Sequence, residues 1–214
     1  MSLFVTGTDT GVGKTYITRL ILESLRQQGV NAVGYKPIAC GDRDDAEALA
    51  SASGDLDVDL VNPVYFNTAV APYVAGLLEN RTVDTAELIA GYKELAAKHD
   101  TVIIEGAGGW EVPIAPNYQI SDFAKELGLP VLVVAANQLG ALNHIQLTVN
   151  AIRAKGLNCV GIVLNQLEDE LDTAMVTNKG VIEDLTGVPL LDHLIHGQDF
   201  LDDQVLEAAG LPKP

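Results

Sequence analysis

The chain has 214 residues, of which 48% are hydrophobic and 20% charged, and its formal net charge is −16. This length and composition predict one globular domain over residues 1–214 and argue against disorder. The acidic balance disfavours nucleic acid and anionic membranes as partners, since both repel a negative surface. Two cysteines are too few for a disulfide framework, and no apolar run approaches membrane-spanning length, so a cytoplasmic protein is expected.

The apolar runs are short, rich in β-branched residues and nearly continuous, as in strands buried on both faces of a parallel sheet. The predicted strands are residues 3–6, 32–36, 101–105, 131–135 and 159–164. The first predicted helix has Ile17, Leu20, Ile21 and Leu25 on its apolar face and stops near Gly29. The other predicted helices are residues 85–98, 122–127, 143–155 and 174–185. This alternation predicts an α/β fold, a doubly wound and mainly parallel sheet with helices on both faces.

A glycine-rich loop joins the first strand to the first helix. Its residues are Gly7-Thr8-Asp9-Thr10-Gly11-Val12-Gly13-Lys14-Thr15. Glycines let backbone N–H groups turn toward phosphate oxygens, Lys14 can reach terminal phosphates, and the Thr15 hydroxyl can ligate Mg²⁺. The common spacing has a glycine where Thr8 stands, and the simpler alternative is a glycine turn with a solvent lysine. The order of strand, loop and helix favours a phosphate-binding loop of the P-loop type.

Two charged groups follow the second strand. Lys36 stands at the strand end before Pro37 and can deliver a second cation to a transferring phosphoryl group, although a surface lysine is the alternative. The acidic run at residues 42–47 opens a helical pattern, where carboxylates also stabilise the helix dipole. Among these carboxylates we predict Asp45 as a Mg²⁺ ligand.

The third and fifth strands also end in polar residues. Glu105 precedes a run of small residues and is predicted to complete the Mg²⁺ site opposite Thr15. Asn165 and Gln166 follow the fifth strand, where an amide reads a purine edge or forms a turn, and the sequence leaves both open.

Four blocks resemble the dethiobiotin synthetase family, in the family's order and at similar spacing over most of the chain. They are residues 4–15, Gly34-Tyr35-Lys36-Pro37, Glu105-Gly106-Ala107-Gly108-Gly109-Trp110, and Leu139-Gly140 with Asn143-His144. The resemblance implies ATP- and Mg²⁺-dependent closure of a ureido ring, from 7,8-diaminononanoate and CO₂. It also implies a homodimer with the active site at the subunit interface.

The resemblance implies a role for each matching residue. Nucleotide binding is expected from Thr10, Gly11, Val12, Gly13, Lys14, Thr15, Glu105, Gly106, Ala107, Gly108 and Asn165. The expected metal ligands are Thr15, Asp45 and Glu105. The expected substrate-binding residues are Thr10, Lys36, Cys40, Gly140 and Asn143, with Gly140 and Asn143 reaching across the interface. Lys14 and Lys36 are the expected catalytic residues.

Three positions depart from the family's usual residues, and two other functions compete. Cys40 stands where a hydroxyl is common, Gln166 where many members have aspartate, and Ile195 near a usual proline.

One competing function is a nucleotide switch like the partitioning and division-site ATPases, but their signature lysine is replaced here by Asp9. The other is a cobyrinate-type amidating synthetase, which needs a glutaminase; this chain is too short to contain one after the synthetase domain, and a separate glutaminase subunit stays open.

Overall fold

The structure, a computed structural model, describes residues 1–212. Its strands are β1 (Ser2–Gly7), β2 (Ala32–Tyr35), β3 (Ile38–Cys40), β4 (Val64–Phe66), β5 (Thr101–Gly109), β6 (Pro113–Ala115), β7 (Tyr118–Gln119), β8 (Val131–Ala136), β9 (Cys159–Asn165) and β10 (Leu190–Leu194). Its helices are α1 (Lys14–Gln27), α2 (Asp44–Ala52), α3 (Val58–Val61), α4 (Pro72–Leu78), α5 (Thr85–Lys98), α6 (Ile120–Leu127), α7 (Ala141–Ala154), α8 (Thr173–Asn178), α9 (Ile182–Thr186) and α10 (Asp203–Ala208).

Six parallel strands form the central sheet in the order β10-β9-β8-β1-β5-β2. The predicted α/β fold is therefore confirmed. Alternate residues of the central strands point to opposite faces, so that Phe4 belongs to one apolar core and Leu3 and Val5 to the other. Each fully buried side chain of this size stabilises the fold by about 1.5–3 kcal/mol. The two cores make the sheet a rigid support for the loops at its edges.

All five predicted strands are present, with small differences at their ends. The prediction for β5 stopped at Glu105, whereas the strand continues to Gly109, which pairs with Gly7 of β1. The sixth strand, β10, was not predicted because Asp192 and His193 interrupt its apolar run. As an edge strand, β10 is only partly buried and needs no continuous apolar sequence.

The prediction of one helix over residues 174–185 was wrong. Two short helices, α8 and α9, occupy this region, with Gly180 between them. Asp172 caps the first by accepting a hydrogen bond from the Met175 N–H at 2.7 Å. At its end the Asn178 side chain turns inward and donates to the Gln138 carbonyl at 3.1 Å, so tertiary hydrogen bonds replace a continuous helix.

The carboxyl ends of the central strands meet at one edge of the sheet. The glycine-rich loop follows β1, Lys36 follows β2, and Glu105 lies within β5 near this edge. The strands β3 and β4 form a separate parallel pair, and β6 and β7 an antiparallel pair, beside the same edge. Within residues 1–212, no helix has both the length and the apolar character needed to cross a membrane.

Candidate active site

The glycine-rich loop leads directly into the first turn of α1. Gly11 and Gly13 have φ angles of +75° and +92°, a backbone conformation that other residues rarely adopt. A Cβ at Gly13 would also lie only 2.1 Å from Asn165 Nδ2. In the described chain no side chain caps the first turn of α1, so its backbone N–H groups are free to bind an anion.

Lys14 lies almost fully buried at this helix start. Its Nζ donates to the Asp9 carbonyl at 2.9 Å, which holds the ammonium under the loop. Burial, and then repulsion from the neighbouring Lys36 ammonium, lower the pKa of Lys14 to about 8. A phosphate placed on the loop would return a negative partner to this amine and favour its charged form.

Four side chains from four segments form a charged cluster next to the loop, namely Thr15, Lys36, Asp45 and Glu105. The Lys36 ammonium donates to Asp45 Oδ2 at 2.7 Å and also contacts Glu105 Oε1. The Thr15 hydroxyl donates to the same Glu105 oxygen at 2.8 Å. Glu105 is fully buried and Lys36 nearly so, whereas the Asp45 side chain is half exposed. The cluster is thus a buried ion pair with one solvent-facing carboxylate.

The charges of this cluster reinforce one another. Burial favours the neutral form of Lys36, but the Glu105 and Asp45 carboxylates outweigh it and raise the lysine pKa. For Asp45, burial acts in the opposite direction from the Lys36 ammonium, which with the Thr15 hydroxyl lowers the carboxyl pKa. Lys36 and Asp45 are therefore both charged at neutral pH.

The backbone on either side of Lys36 is fixed by a neighbouring segment. The Lys36 N–H donates to the Val61 carbonyl at 2.9 Å, and Asn62 Nδ2 donates to the Lys36 carbonyl at 2.7 Å. Asn62 Oδ1 accepts from Arg43 Nε at 3.2 Å, and Arg43 immediately precedes α2, which carries Asp45. Asn62 therefore links the segment that carries Lys36 to the helix that carries Asp45.

The cluster offers the donor set that Mg²⁺ prefers, which is carboxylate and hydroxyl oxygen. Glu105 Oε2 is buried and has no hydrogen-bond partner among the described residues, so it is free to accept a cation. Residues 1–212 contain no convergent group of three or more His, Cys, Asp or Glu side chains. Two carboxylates and a hydroxyl fit Mg²⁺, which usually takes its remaining ligands from water and phosphate.

A cavity of about 370 Å³ opens beside the charged cluster. Its lining combines the polar residues Thr10, Lys36, Asp42 and Asp45 with Cys40 and the apolar segment of residues 69–72. Burial and the nearby Glu79 carboxylate raise the pKa of the Cys40 thiol to about 11, so the thiol stays protonated. The cavity thus presents a cation, carboxylates and a largely apolar wall within one lining.

Most of the predicted site residues lie together at this edge. Thr10, Lys36, Cys40, Asp45, Ala107 and Gly108 line the cavity, and Thr15 and Glu105 join Lys36 and Asp45 in the cluster. Gly11, Val12, Gly13, Lys14 and Gly106 are sequence neighbours of these residues in the loop and in β5. Asn165 is buried, and its Nδ2 donates to the Val12 carbonyl at 3.1 Å, so it contacts the loop. Gly140 and Asn143 instead lie at the exposed start of α7 and do not line the described cavity.

Sequence reasoning missed the Asn62 contact and the apolar wall at residues 69–72. Asn62 ends a short helix and looks like an ordinary turn residue. The wall segment, Ala69-Val70-Ala71-Pro72, has neither helical nor strand periodicity, and only Pro72 at the first turn of α4 signals structure. Its position over the cavity depends on long-range packing that no local pattern records.

Comparison with known proteins agrees with this geometry. The model of an AAA domain family (AAA_26) matches residues 1–197. The ATP-dependent dethiobiotin synthetase BioD of Akkermansia muciniphila is 52% identical over 206 residues, which cover 96% of this chain and 97% of that protein. The chain belongs to the dethiobiotin synthetase family. A second dethiobiotin synthetase, from an Anaeromyxobacter species, is 42% identical over 207 residues, covering 94% of this chain and 93% of its own length.

The solved structures show the same fold in a more distant protein. A ParA family ATPase from Chlorobium tepidum superposes with a TM-score of 0.59 and 14% identity, covering 97% of this chain and 90% of that chain. At this identity the likeness concerns the fold alone. The predicted resemblance to dethiobiotin synthetases is confirmed by the relatives' names and coverage, and the chain is an ATP-dependent ligase.

Proposed function

We propose that this chain closes a ureido ring, converting 7,8-diaminononanoate, CO₂ and ATP to dethiobiotin, ADP and phosphate. The observation that carries the proposal is the position of Lys36, which contacts the Asp45 and Glu105 carboxylates beside the glycine-rich loop and also lines a cavity with an apolar wall. The names of relatives that match nearly the full chain support the same reaction. A diamine with an aliphatic tail suits a cavity that is lined by both charged and apolar residues.

In the proposed reaction one substrate amine adds to CO₂ and loses a proton, which gives a carbamate. A carbamate oxygen then attacks the γ-phosphorus of ATP, and the bond to the ADP oxygen breaks. The second amine attacks the carbamoyl carbon, loses its proton and expels phosphate, which closes the ring. Holding both amines on one bound molecule makes the last step intramolecular.

The residues of this chain supply position and charge for these steps. The N–H groups at the start of α1 and the Lys14 ammonium bind the ATP phosphates, which carry the developing negative charge. In the proposed reaction Lys36 contacts both the γ-phosphate and the carbamate and brings the two anions together. Thr10 belongs to the glycine-rich loop and also lines the cavity, so we assign it a role in binding both the substrate and the nucleotide.

Thr15, Asp45 and Glu105 would hold Mg²⁺ in this proposal. The ion supplies charge neutralisation of the β- and γ-phosphate oxygens when it is bound. The unpartnered buried oxygen of Glu105 supports this role, because an anionic oxygen left alone in the interior is costly.

We also propose a cytoplasmic homodimer whose interface completes the active site. Gly140 and Asn143 of the partner subunit would receive the substrate carboxylate. In support, Leu139 and Leu147 flank Asn143 on the surface with exposures of 83% and 61%. Large apolar side chains exposed to this degree beside a functional helix suit a protein interface.

The test is mass-spectrometric detection of dethiobiotin from purified protein, 7,8-diaminononanoate, labelled bicarbonate, ATP and Mg²⁺. We expect labelled dethiobiotin that disappears when any one component is omitted. Amide formation with glutamine or ammonia would identify an amidating synthetase, and ATP hydrolysis without either product would identify a nucleotide switch. Comparing ATP, CTP and GTP in the same assay would also reveal the base preference.

A further inference from the structure

The Lys36 ammonium lies where the proposed metal should bind. It bridges Asp45 and Glu105, and Thr15 donates to the same Glu105 oxygen. All three proposed ligands of Mg²⁺ are therefore engaged with one another or with the lysine. The role proposed for Lys36 in phosphoryl transfer, however, requires its ammonium to face the carbamate and γ-phosphate in the cavity. One side chain is thus assigned two positions.

We propose that Lys36 is a built-in occupant of the divalent-cation site, and that metal binding displaces its ammonium into the substrate cavity. The inference rests on the metal ligands of the proposed function. It adds that the metal-free site is held together by an internal cation, and that the lysine reaches its working position only when the metal replaces it.

The backbone geometry allows this exchange without a change of fold. Hydrogen bonds from Lys36 to Val61, and from Asn62 to Lys36, fix the peptide groups at the base of the side chain. Pro37, the residue after Lys36, has its own φ angle fixed by the proline ring. Only the lysine side chain, with its four rotatable bonds, needs to move, and it already lines the cavity.

Charge gives the direction of the exchange. The Lys36 ammonium carries one positive charge against two carboxylates, of which Glu105 is fully buried, where electrostatic interactions are stronger than in water, and Asp45 is half exposed; the Lys14 ammonium lies nearby and repels Lys36. A divalent cation neutralises both carboxylates and repels the lysine. Glu105 Oε2, which is buried without a partner in the described chain, provides an oxygen that the single ammonium does not use. The site is therefore better matched to a divalent cation than to the lysine.

The exchange would order the events of catalysis. With the site metal-free, Lys36 is held by the two carboxylates and a carbamate in the cavity lacks its cation. With the metal in place, the displaced ammonium has no carboxylate partner and binds the anionic carbamate. The structure thus predicts that metal binding strengthens carbamate binding through Lys36.

Mn²⁺ binding to the nucleotide-free protein tests the displacement, with electron paramagnetic resonance to count free Mn²⁺. We expect Lys36→Met to bind Mn²⁺ at least about tenfold more tightly than the wild type, since the metal no longer displaces a charge-assisted hydrogen bond. Lys14→Met is the matched control, because it removes one positive charge whose ammonium bonds the Asp9 carbonyl. Equal tightening in both variants, or none in Lys36→Met, would overturn the proposal.

Two further measurements keep the test independent of how well that variant folds. In thermal unfolding, Lys36→Met should be less stable than the wild type without metal and should gain more from added Mn²⁺. In the wild type, the NMR signal of the Lys36 ammonium should shift when Mg²⁺ is added. A lysine signal that is unchanged at saturating Mg²⁺ would refute displacement. None of these readouts uses the diamine, so ring closure can fail while displacement holds.

Discussion

Two polar clusters lie at the carboxyl edge of the sheet, and they differ in charge. The charged cluster around Lys36 contains full charges and a buried carboxylate oxygen without a described partner. The other, the amide cluster, consists of Asn137, Asn178 and His193 beyond the end of β8. There Asn137 Nδ2 donates to the Met175 carbonyl at 2.9 Å and contacts His193 Nε2 at 3.2 Å, while Asn178 donates to Asn137 Oδ1 at 3.0 Å.

The difference separates a binding site from a structural support. Neutral amides that satisfy one another hold α8, β8 and β10 together and leave little for a ligand to gain. Charges that are buried and incompletely satisfied are costly to the apoprotein and become favourable when a ligand completes them. Breaking the charged cluster should therefore abolish chemistry, whereas breaking the amide cluster should mainly lower stability.

Lys36→Ala should have the largest effect. We expect product formation to fall by about 10³-fold, since a cation at the developing anion is lost, while ATP affinity changes little because the loop and Lys14 remain. Single-turnover product assays and ATP titrations measure the two quantities. Lys155→Ala, which breaks a pair with Asp122 away from the cavity, should keep full activity. Unaltered turnover in Lys36→Ala would remove Lys36 from the mechanism.

Glu105→Gln should raise the Mg²⁺ concentration needed for half-maximal activity by about 10–100-fold, because an amide is a weaker ligand than a carboxylate. The measurement is a Mg²⁺ titration of product formation at fixed ATP. Glu23→Gln makes the same chemical change on α1, where Glu23 pairs with Arg19, and should leave the titration unchanged. Identical curves for Glu105→Gln and wild type would contradict the ligand assignment.

Asn137→Ala should destabilise the fold by about 1–3 kcal/mol, because it leaves buried polar groups of the amide cluster without partners. Urea unfolding gives this free energy, and Mn²⁺ binding should remain as in the wild type. Asn150→Ala, on the exposed face of α7, should stay within about 0.5 kcal/mol of the wild type. A large loss of metal affinity in Asn137→Ala would mean that the two clusters are coupled.

The smallest expected effect is a loss of fold stability at acidic pH, caused by protonation of His193. Burial and the Lys179 ammonium lower its pKa below the usual 6.5, against the opposing Asp192 carboxylate. The unfolded chain therefore binds the proton more readily, and stability falls as pH drops below about 6.5 toward the lowered value. Melting temperatures at pH 7.5 and 5.5 should differ less in His193→Gln than in the wild type. Equal differences would exclude His193 as a contributor.

The sequence predicted the charged cluster better than the amide cluster for a physical reason. Lys36 and Glu105 each adjoin a buried apolar strand, so strand periodicity alone places them at one edge. Asn137 and Asn178 lie at ends of elements that meet only after α8 folds back, and His193 belongs to the unpredicted edge strand. Their proximity depends on packing between distant segments, which no spacing in the chain encodes.

Within the site, residue types were predictable but their contacts were not. The loop, Lys36, Asp45 and Glu105 were all predicted to form a phosphate and metal site, and the structure places them close together. The sequence did not indicate that Lys36 itself would pair with both carboxylates, since that depends on the approach of α2 to β5. For Asn165 the sequence left two roles open, recognition of a purine base and formation of a turn. Its observed hydrogen bond to the Val12 carbonyl depends on how closely the glycine-rich loop packs against it.

Asn62 is a point of failure in this chain that motif searches cannot detect. This buried side chain spans the backbone of Lys36 and the arginine that precedes the Asp45 helix. A descendant of this chain could keep every residue of the recognised motifs, lose Asn62, and have a lysine and a carboxylate at the wrong separation. The motifs of such a protein would still match those of an active enzyme, although the spacing of its charged groups had changed.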